Sequence, residues 1–248
     1  MNIQKVSIPV GAQEYVAGTL FTPADCRQKR PAVLFIHGWA SSEQGYLSRA
    51  EALARRGWAA LTINLRGHGA DAARQAHFSR HDHLQDVLAA YDFLAAHPCV
   101  DAKQIGVAGS SYGGYLAALL SSFRPVPSLV LRAPALYRDA NFTTPTAWLI
   151  EVDESVYRQA GLPLQESMAL QAIAQYQGNF LLIESALDDV CPQATTHGYL
   201  AVVNLQANVT HVLLPRAGHV LDTPETRQAF LDALLAWFAK TLPVANTP

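Results

Sequence analysis

The centre of the chain reads Gln104-Ile-Gly-Val-Ala-Gly-Ser-Ser-Tyr-Gly-Gly-Tyr115. Residues 104–108 form a short apolar run with β-branched members and predict a buried strand, whereas good helix formers follow from Gly114. A G-x-S-x-G pattern between a strand and a helix is typical of a nucleophile elbow, a tight turn that exposes one serine at the end of a sheet. Ser111 is therefore the candidate nucleophile, and Ser110 is predicted to point away from the site.

Two further candidate catalytic groups follow strands that are predicted later in the chain. Two adjacent carboxylates, Asp188 and Asp189, follow the strand predicted over 179–185, and His219 follows the strand predicted over 209–214. A serine hydroxyl becomes a good nucleophile when a histidine accepts its proton, and that histidine needs a carboxylate to fix its tautomer. The three groups are predicted to meet because open parallel sheets place their sites at the carboxyl ends of the strands.

The order of serine, aspartate and histidine resembles that of the α/β-hydrolase superfamily, over approximately residues 3–240. The segment 109–115 is similar to the elbow of dienelactone-hydrolase-like esterases and of prolyl-oligopeptidase-like catalytic domains. His37-Gly38, directly after a strand predicted over 32–36, resembles the oxyanion loop of the superfamily. The resemblance implies that the main-chain amides of Trp39 and Tyr112 form the oxyanion hole.

Two loops differ from the usual superfamily pattern. Asn64-Leu-Arg-Gly-His-Gly69 resembles a loop in which aspartate is commoner at the first position. The loop after the seventh strand usually reads G-x-x-D-x-x-V/x-P, and Ser185 stands here in place of the glycine. The resemblance puts Asp188 at the aspartate position, four residues before Pro192, and so favours Asp188 over Asp189 as the catalytic acid.

The whole chain, residues 1–248, is predicted to form one α/β domain with the α/β-hydrolase fold. A predicted antiparallel hairpin, 3–10 and 15–22, precedes strands that alternate with helices, and this alternation predicts a mostly parallel eight-stranded sheet with helices on both faces. Residues 242–248 are predicted to form a frayed tail. The later strands are predicted over 32–36, 58–64, 104–109, 128–132, 179–185 and 209–214, and the main helices over 44–56, 82–97, 192–206 and 224–240.

A small lid is predicted between the sixth and seventh strands, over about residues 134–177. It contains Tyr137, Phe142 and Trp148, which are candidates for the substrate pocket because small-molecule sites are mostly apolar and aromatic. The alternative is that these three side chains only pack the lid onto the sheet.

Two histidine-containing segments are better explained by local structure than by chemistry. For Arg66 and His68, in a loop predicted near the elbow, stabilisation of the turn is favoured over contact with substrate. The run His81-Asp82-His83 has a metal-like appearance, but further ligands at a suitable spacing are missing. We interpret it as a helix start with Asp82 as the N-cap.

Composition restricts the possible partners. A net charge of −2 provides no basic field for nucleic acid or an anionic membrane, and no apolar run approaches the ~20 residues of a bilayer span. The N-terminus lacks the apolar core of a secretory signal. The three cysteines, Cys26, Cys99 and Cys191, are odd in number and widely spaced, without the pattern of a disulfide framework. These features favour a cytoplasmic protein.

The predicted function is that of a serine hydrolase that cleaves carboxylic esters of small or medium size through an acyl-enzyme. The small predicted lid, without a long apolar helix, favours such a small-molecule ester, and the chemistry needs neither a metal nor an organic cofactor. The prolyl-oligopeptidase-like elbow suggests an aminopeptidase or acyl-peptide hydrolase as the alternative, although a propeller domain to select peptides is not expected before the hydrolase domain. A non-catalytic α/β-hydrolase that binds a ligand is a further alternative, which the complete set of three catalytic groups disfavours.

Overall fold

The computed structural model describes residues 1–148 and 161–244. Within these residues eight strands form one sheet, in the order β1-β2-β4-β3-β5-β6-β7-β8. The strands are Asn2–Val10 (β1), Glu14–Thr22 (β2), Arg30–Ile36 (β3), Ala59–Asn64 (β4), Val100–Ser110 (β5), Ser128–Arg132 (β6), Asn179–Leu187 (β7) and Asn208–Gly218 (β8). β2 pairs antiparallel with both β1 and β4, and all other neighbours are parallel. The predicted mostly parallel eight-stranded sheet is therefore confirmed.

Helices cover both faces of the sheet, as predicted. The α-helices are Gln44–Ala54 (α1), Arg80–Ala96 (α2), Tyr112–Leu120 (α3), Met168–Gln175 (α4), Gln193–Val202 (α5) and Pro224–Thr241 (α6). Short 3-10 helices span Gly69–His77, Thr146–Trp148 and Leu164–Glu166. Helices α2 to α5 pack on one face and α1 and α6 on the other, so the side chains of each strand alternate between two separate apolar cores. On β3, for example, Leu34 belongs to the first core and Phe35 to the second.

The N-cap of helix α2 lies three residues earlier than the sequence suggested. Ser79 is the N-cap, and its hydroxyl accepts a hydrogen bond from the amide of Asp82 at 3.1 Å. The carboxylate of Asp82 in turn accepts from the amide of Ser79 at 2.8 Å. This reciprocal pair is a capping box. The prediction of Asp82 as the N-cap was wrong because its carboxylate reaches back to the true cap.

The end of the described chain is anchored to the sheet. The indole nitrogen of Trp58 donates to the carbonyl of Leu242 at 2.9 Å, and the Leu242 side chain is buried. Val244 packs against Gly57. The predicted frayed tail was therefore wrong for residues 242–244, and residues 245–248 lie outside the described residues.

A disulfide joins Cys26 to Cys99, with their α-carbons 5.0 Å apart, while Cys191 is buried and is not part of this disulfide. The prediction that the cysteines form no disulfide was wrong. The two partners are 73 residues apart in the chain, but β3 and β5 are neighbours in the sheet. Because Arg30 pairs with Val100 at the start of these strands, the preceding residues are brought together. The cysteine pattern therefore no longer supports a cytoplasmic location, which stays a prediction.

The segment that was predicted as a lid has two described parts, 134–148 and 161–177, and its middle, 149–160, lies outside the described residues. Its last element, α4, buries Leu170 and Ile173 in the core on the side of α3. No helix among the described residues combines the length and apolar character that a membrane crossing requires.

Candidate active site

The backbone of Ser111 is strained in the way that a nucleophile elbow requires. Its φ of 54° and ψ of −121° interrupt the path between β5 and α3. Glycine is needed on both sides because the chain folds back on itself. A β-carbon on Gly109 would overlap the carbonyl of Gly113, and one on Gly113 would overlap the carbonyl of Ile36. The turn therefore holds the Ser111 side chain at the carboxyl edge of the sheet.

The three residues singled out from the sequence form one chain of hydrogen bonds. The hydroxyl of Ser111 lies 2.9 Å from Nε2 of His219. Nδ1 of His219 lies 2.9 Å from each carboxylate oxygen of Asp188. Since a carboxylate can only accept, Nδ1 carries the proton and Nε2 is free to accept the proton of the serine. The arrangement can thus raise the nucleophilicity of Ser111.

Asp188 is held in its acceptor form by its own loop. Burial raises the pKa of this carboxyl, but hydrogen bonds from His219 and from the main chain outweigh the burial and leave the pKa below its ordinary value. The amides of Cys191 and Val190 donate to one carboxylate oxygen at 2.7 and 3.0 Å. The neighbouring Asp189 is exposed to solvent. Of the two adjacent carboxylates, Asp188 is therefore the one that contacts the histidine.

The residues predicted for the oxyanion hole flank Ser111. Tyr112 is the first residue of α3, so its amide has no acceptor within the helix. Gly38 lies directly against the elbow, since a β-carbon added there would stand 3.3 Å from Cβ of Ser111. The next residue, Trp39, packs its ring at right angles to the Tyr112 ring, with centroids 5.2 Å apart. The loop after β3 and the start of α3 are thus fixed to each other beside the nucleophile.

Two histidine rings pack against Trp39 and Tyr112. His68 and His83 both contact the Trp39 ring edge-on, with centroids 5.1 and 6.0 Å away. Nε2 of His83 donates to the Arg66 carbonyl at 2.9 Å, and its Nδ1 therefore accepts from the Tyr112 hydroxyl at 2.8 Å. Burial lowers the pKa of His83 to about 3, so the ring is neutral at physiological pH. The rings of Trp39, Tyr112, His68 and His83 thus form an aromatic wall beside the nucleophile, and these rings carry no charge.

The three aromatic residues proposed for the pocket occupy different places. Tyr137 belongs to the wall, because its ring contacts those of Tyr112 and Tyr115 at centroid distances of 5.7 and 4.9 Å. Phe142 lies in a groove between α2, α3 and α4, which no member of the hydrogen-bonded triad lines. The side chain of Trp148 is 79% exposed. The structure therefore brings only Tyr137 of the three to the wall.

Arg66 and His68 have internal hydrogen-bond partners, in agreement with a role in stabilising the turn. The Arg66 side chain and amide both bind the buried carboxylate of Asp86, at 2.5 and 2.9 Å. His68 donates from Nδ1 to the Arg66 carbonyl and accepts from Gln75. Within the described residues, no group of three or more His, Cys, Asp or Glu side chains is arranged to hold a metal ion.

Sequence reasoning missed two contacts near the triad. The hydroxyl of Tyr46 donates to Ser110 at 2.6 Å, which turns this serine toward α1 and away from the site. The side chain of Arg132, the last residue of β6, reaches the carbonyl of His219 at 2.5 Å. An arginine at the end of a buried strand is itself a signal, because such a charge needs internal partners. Which groups serve as these partners depends on which strands are neighbours in the sheet.

A doubly covered, mostly parallel sheet with a serine elbow and a serine–histidine–aspartate chain defines a serine hydrolase of the α/β-hydrolase fold. Comparison with known proteins agrees. The sequence profile of the prolyl oligopeptidase family, the peptidase family S9, matches residues 44–244. The chain belongs to this family.

Three similar proteins illustrate the range of relatives. Dipeptidyl aminopeptidase BIII of Pseudoxanthomonas mexicana is 27% identical over 86% of this chain and 33% of its own length. Dienelactone hydrolase of Anabaena variabilis has a similar structure, with a TM-score of 0.73, 23% identity, and coverage of 97% of this chain and 98% of that one. Acylaminoacyl peptidase of Pyrococcus horikoshii has a TM-score of 0.74 at 19% identity, over all of this chain and 42% of its own. The chain spans about a third of the length of the curated relatives it matches.

Proposed function

We propose that the protein is a carboxylesterase that cleaves esters of small or medium size through an acyl-enzyme. The observation that carries the hydrolase part of this proposal is the continuous hydrogen-bonded chain from Ser111 through His219 to Asp188, and the ester part is supported by the charge of the site. Ser111 attacks the ester carbonyl while Nε2 of His219 takes its proton, and Asp188 keeps the imidazole in the correct tautomer and orientation. His219 then gives the proton to the departing alkoxide.

The developing oxyanion is stabilised by the amides of Trp39 and Tyr112, and each such donor typically supplies ~3 kcal/mol of transition-state stabilisation. Water then enters, loses its proton to His219, and attacks the acyl-enzyme in the same way. Ser111 is regenerated and the carboxylic acid leaves. The groups that the protein contributes to these steps are side chains and main-chain amides, and the water molecule is the second substrate.

The charge of the site supports an ester with a neutral acyl group. A free peptide amino terminus is recognised best by a carboxylate that has no internal partner. The carboxylates on the elements that carry His68 and His83 all have partners. Asp71 accepts from the amide of Gly67, Asp82 from Ser79, and Asp86 from Arg66. The rings of the aromatic wall are uncharged, and the Arg80 guanidinium over the Tyr137 ring is held by two main-chain carbonyls, so the wall favours an apolar acyl group.

Aminopeptidase activity is the second candidate, because a dipeptidyl aminopeptidase matches 86% of this chain and the family is one of peptidases. An amide needs the same nucleophile and base, so the triad alone does not separate the two reactions. Recognition of the free α-amino group separates them. The dienelactone hydrolase matches 97% of this chain over 98% of its own length, and this structural similarity favours esterase activity.

The experiment compares matched substrates on the purified protein. Methyl and ethyl esters of acetic, butyric and octanoic acids, which are not activated, are assayed beside alanine p-nitroanilide and N-acetyl-alanine p-nitroanilide. The Ser111→Ala variant supplies the background rate. Labelling with a fluorophosphonate identifies an activated serine independently of substrate choice.

We expect labelling at Ser111, turnover of the alkyl esters above background, and no anilide turnover above background. Turnover of alanine p-nitroanilide that disappears on N-acetylation would replace the esterase proposal with an aminopeptidase. Turnover of the N-acetyl compound alone would indicate an acyl-peptide hydrolase. A protein that neither reacts with the probe nor hydrolyses any substrate would contradict both enzyme proposals.

A further inference from the structure

The side chain of Arg132, at the end of β6, connects the ends of β7 and β8 behind the triad. Its nitrogen Nη2 lies 2.5 Å from the carbonyl of His219, 2.9 Å from that of Gly218 and 2.9 Å from the hydroxyl of Ser185. The main chain of the same residue contacts the elbow, because its carbonyl accepts from the amide of Ser111 at 3.0 Å. One residue therefore touches the main chain of both the nucleophile and the base.

Arg132 is an unusual charge to bury. The residue is only 5% exposed, and among the described residues no carboxylate forms a salt bridge with its guanidinium, although the charge of Asp188 partly offsets the burial that lowers its pKa. Its Nε atom is buried without an acceptor. Burying a cation without an anion in direct contact is unfavourable, because the hydration that it loses is not replaced by a close opposite charge. A position that only had to fill the core would carry an apolar residue.

The contacts of Arg132 are concentrated on the loop of the base. Two of its acceptors are consecutive carbonyls, and the second belongs to His219 itself. The third, Ser185, lies near the end of β7, three residues before Asp188. The guanidinium thus ties the loop of the histidine to the strand end that leads to the acid. It contacts neither the imidazole ring nor the carboxylate.

We propose that Arg132 is a positioning residue that fixes the main chain of His219, so that Nε2 stays within hydrogen-bond distance of Ser111. The proposal rests on the proposed function, because it concerns the geometry of the same triad. The effect acts on the chemical step. A displacement of about 1 Å in a catalytic group can reduce the rate by ~100-fold even when the mutated residue lies outside the chemistry.

Three variants test the proposal. Arg132→Met keeps the length and apolar stem but removes every donor. Arg132→Lys keeps a cation, and its single ammonium carries three protons for the three acceptors that converge on Nη2. Arg49→Met is the matched control, since Arg49 is also a buried arginine with an unpartnered Nε, and it stacks on Phe230 without contacting the triad. The measurements are kcat and KM on one ester, the rate of fluorophosphonate labelling, and the melting temperature.

For Arg132→Met we expect kcat to fall by about 10- to 100-fold with KM within about threefold of the wild type, and labelling to slow in proportion. Arg132→Lys should recover at least part of kcat, and Arg49→Met should keep the wild-type kcat. A value of kcat for Arg132→Met within threefold of the wild type would overturn the proposal. So would a lysine variant that is no faster than the methionine variant, or an equal loss of kcat in Arg49→Met.

If Arg132→Met does not fold, Ser185→Ala decides. It removes one of the three acceptors without burying an additional charge, and we expect a three- to tenfold lower kcat at unchanged KM. Wild-type kcat in this variant would then reject the proposal. Failure of the proposed function has a different signature, because Ser111→Ala would then retain activity or the wild-type protein would show none.

Discussion

Ser111 and Ser110 are adjacent serines with opposite surroundings. Ser111 has a φ of 54°, and its hydroxyl faces Nε2 of His219 at 2.9 Å. Ser110 ends β5 with normal strand geometry, is 9% exposed, and accepts from the hydroxyl of Tyr46 at 2.6 Å. The side chains thus lie on opposite sides of the strand end, and only one of them meets the base.

Substitution of the two serines should separate their roles. We expect Ser111→Ala to abolish fluorophosphonate labelling and to lower kcat by several orders of magnitude, because what remains after loss of a triad member is only the ~10³- to 10⁴-fold over water supplied by binding and the oxyanion donors. Ser110→Ala should lose one hydrogen bond, costing about 1 kcal/mol of stability, with little change in kcat. An active Ser111→Ala together with an inactive Ser110→Ala would show that Ser110 is the nucleophile and that the elbow is assigned one residue too late.

Of the two adjacent aspartates after β7, Asp188 contacts His219, whereas Asp189 is exposed to solvent. Asp188→Asn should lower kcat/KM by as much as ~10⁴-fold, because the amide favours the wrong tautomer of His219. The exposed Asp189 serves as the matched control, and Asp189→Asn should stay within about tenfold of the wild type. The two variants should have similar melting temperatures, so that the comparison reports chemistry. A lower kcat/KM for Asp189→Asn than for Asp188→Asn would show that Asp189 is the catalytic acid.

Much of the site could be anticipated because each group is read from local sequence. Ser111 follows from a turn whose glycines are needed for close approach, and His219 follows a strand. Arg132 could not be assigned a partner from sequence, because its contacts join the ends of β6, β7 and β8, which depends on strand order and register. The sequence likewise did not determine whether Phe142 and Trp148 line the pocket, because aromatic character alone does not say which way a side chain points.

At the scale of elements, the disulfide links the connection between β2 and β3 to the one between α2 and β5. The partners precede the first residues of two neighbouring strands, at the edge of the sheet opposite to the triad. Strand periodicity predicted both β3 and β5 correctly. It does not say that β5 pairs with β3 rather than with β4, the strand before it in the chain, and so the cysteine pairing was not predictable.

Removal of this disulfide should affect stability and leave activity unchanged. For Cys26→Ala/Cys99→Ala we expect the free energy of unfolding to fall by ~4 kcal/mol, since the bridge closes a long loop in the unfolded chain. This corresponds to a melting temperature lower by about 10 °C for a chain of this size. The value of kcat/KM at 25 °C should be unchanged, because the bridge is remote from the carboxyl edge.

Dithiothreitol provides the control for the disulfide. It should lower the melting temperature of the wild type to that of the double variant and have no effect on the variant itself. Equal melting temperatures of the oxidised wild type and the variant would show that the bridge does not stabilise the fold. A lower kcat/KM at 25 °C in the variant would show that the two edges of the sheet are coupled.

At the scale of the whole molecule, buried neutral histidines link the stability of the fold to pH. Nδ1 of His37 donates to the carbonyl of Gly38, and its Nε2 accepts from the amide of Leu65 at 3.1 Å. His83 has one donor and one acceptor contact in the same manner. Each ring is therefore satisfied only when neutral. Burial lowers the pKa of His37 to about 4 and that of His83 to about 3.

Because these pKa values are below the 6.5 of an unfolded histidine, the unfolded chain binds protons first as the pH falls. The stabilisation is complete above pH 6.5 and is lost between about 6.5 and the folded pKa, at up to ~1.4 kcal/mol per pH unit for each ring. Urea unfolding at pH 7.5, 6.0 and 5.0 should show this decline in the wild type and a shallower one in His83→Gln, which keeps a donor and an acceptor but does not titrate. His77→Gln, at an exposed position, should match the wild-type slope. Equal slopes in all three proteins would mean that His83 takes up its proton in the folded state, and that its neutral hydrogen bond to Tyr112 does not hold the wall beside the nucleophile.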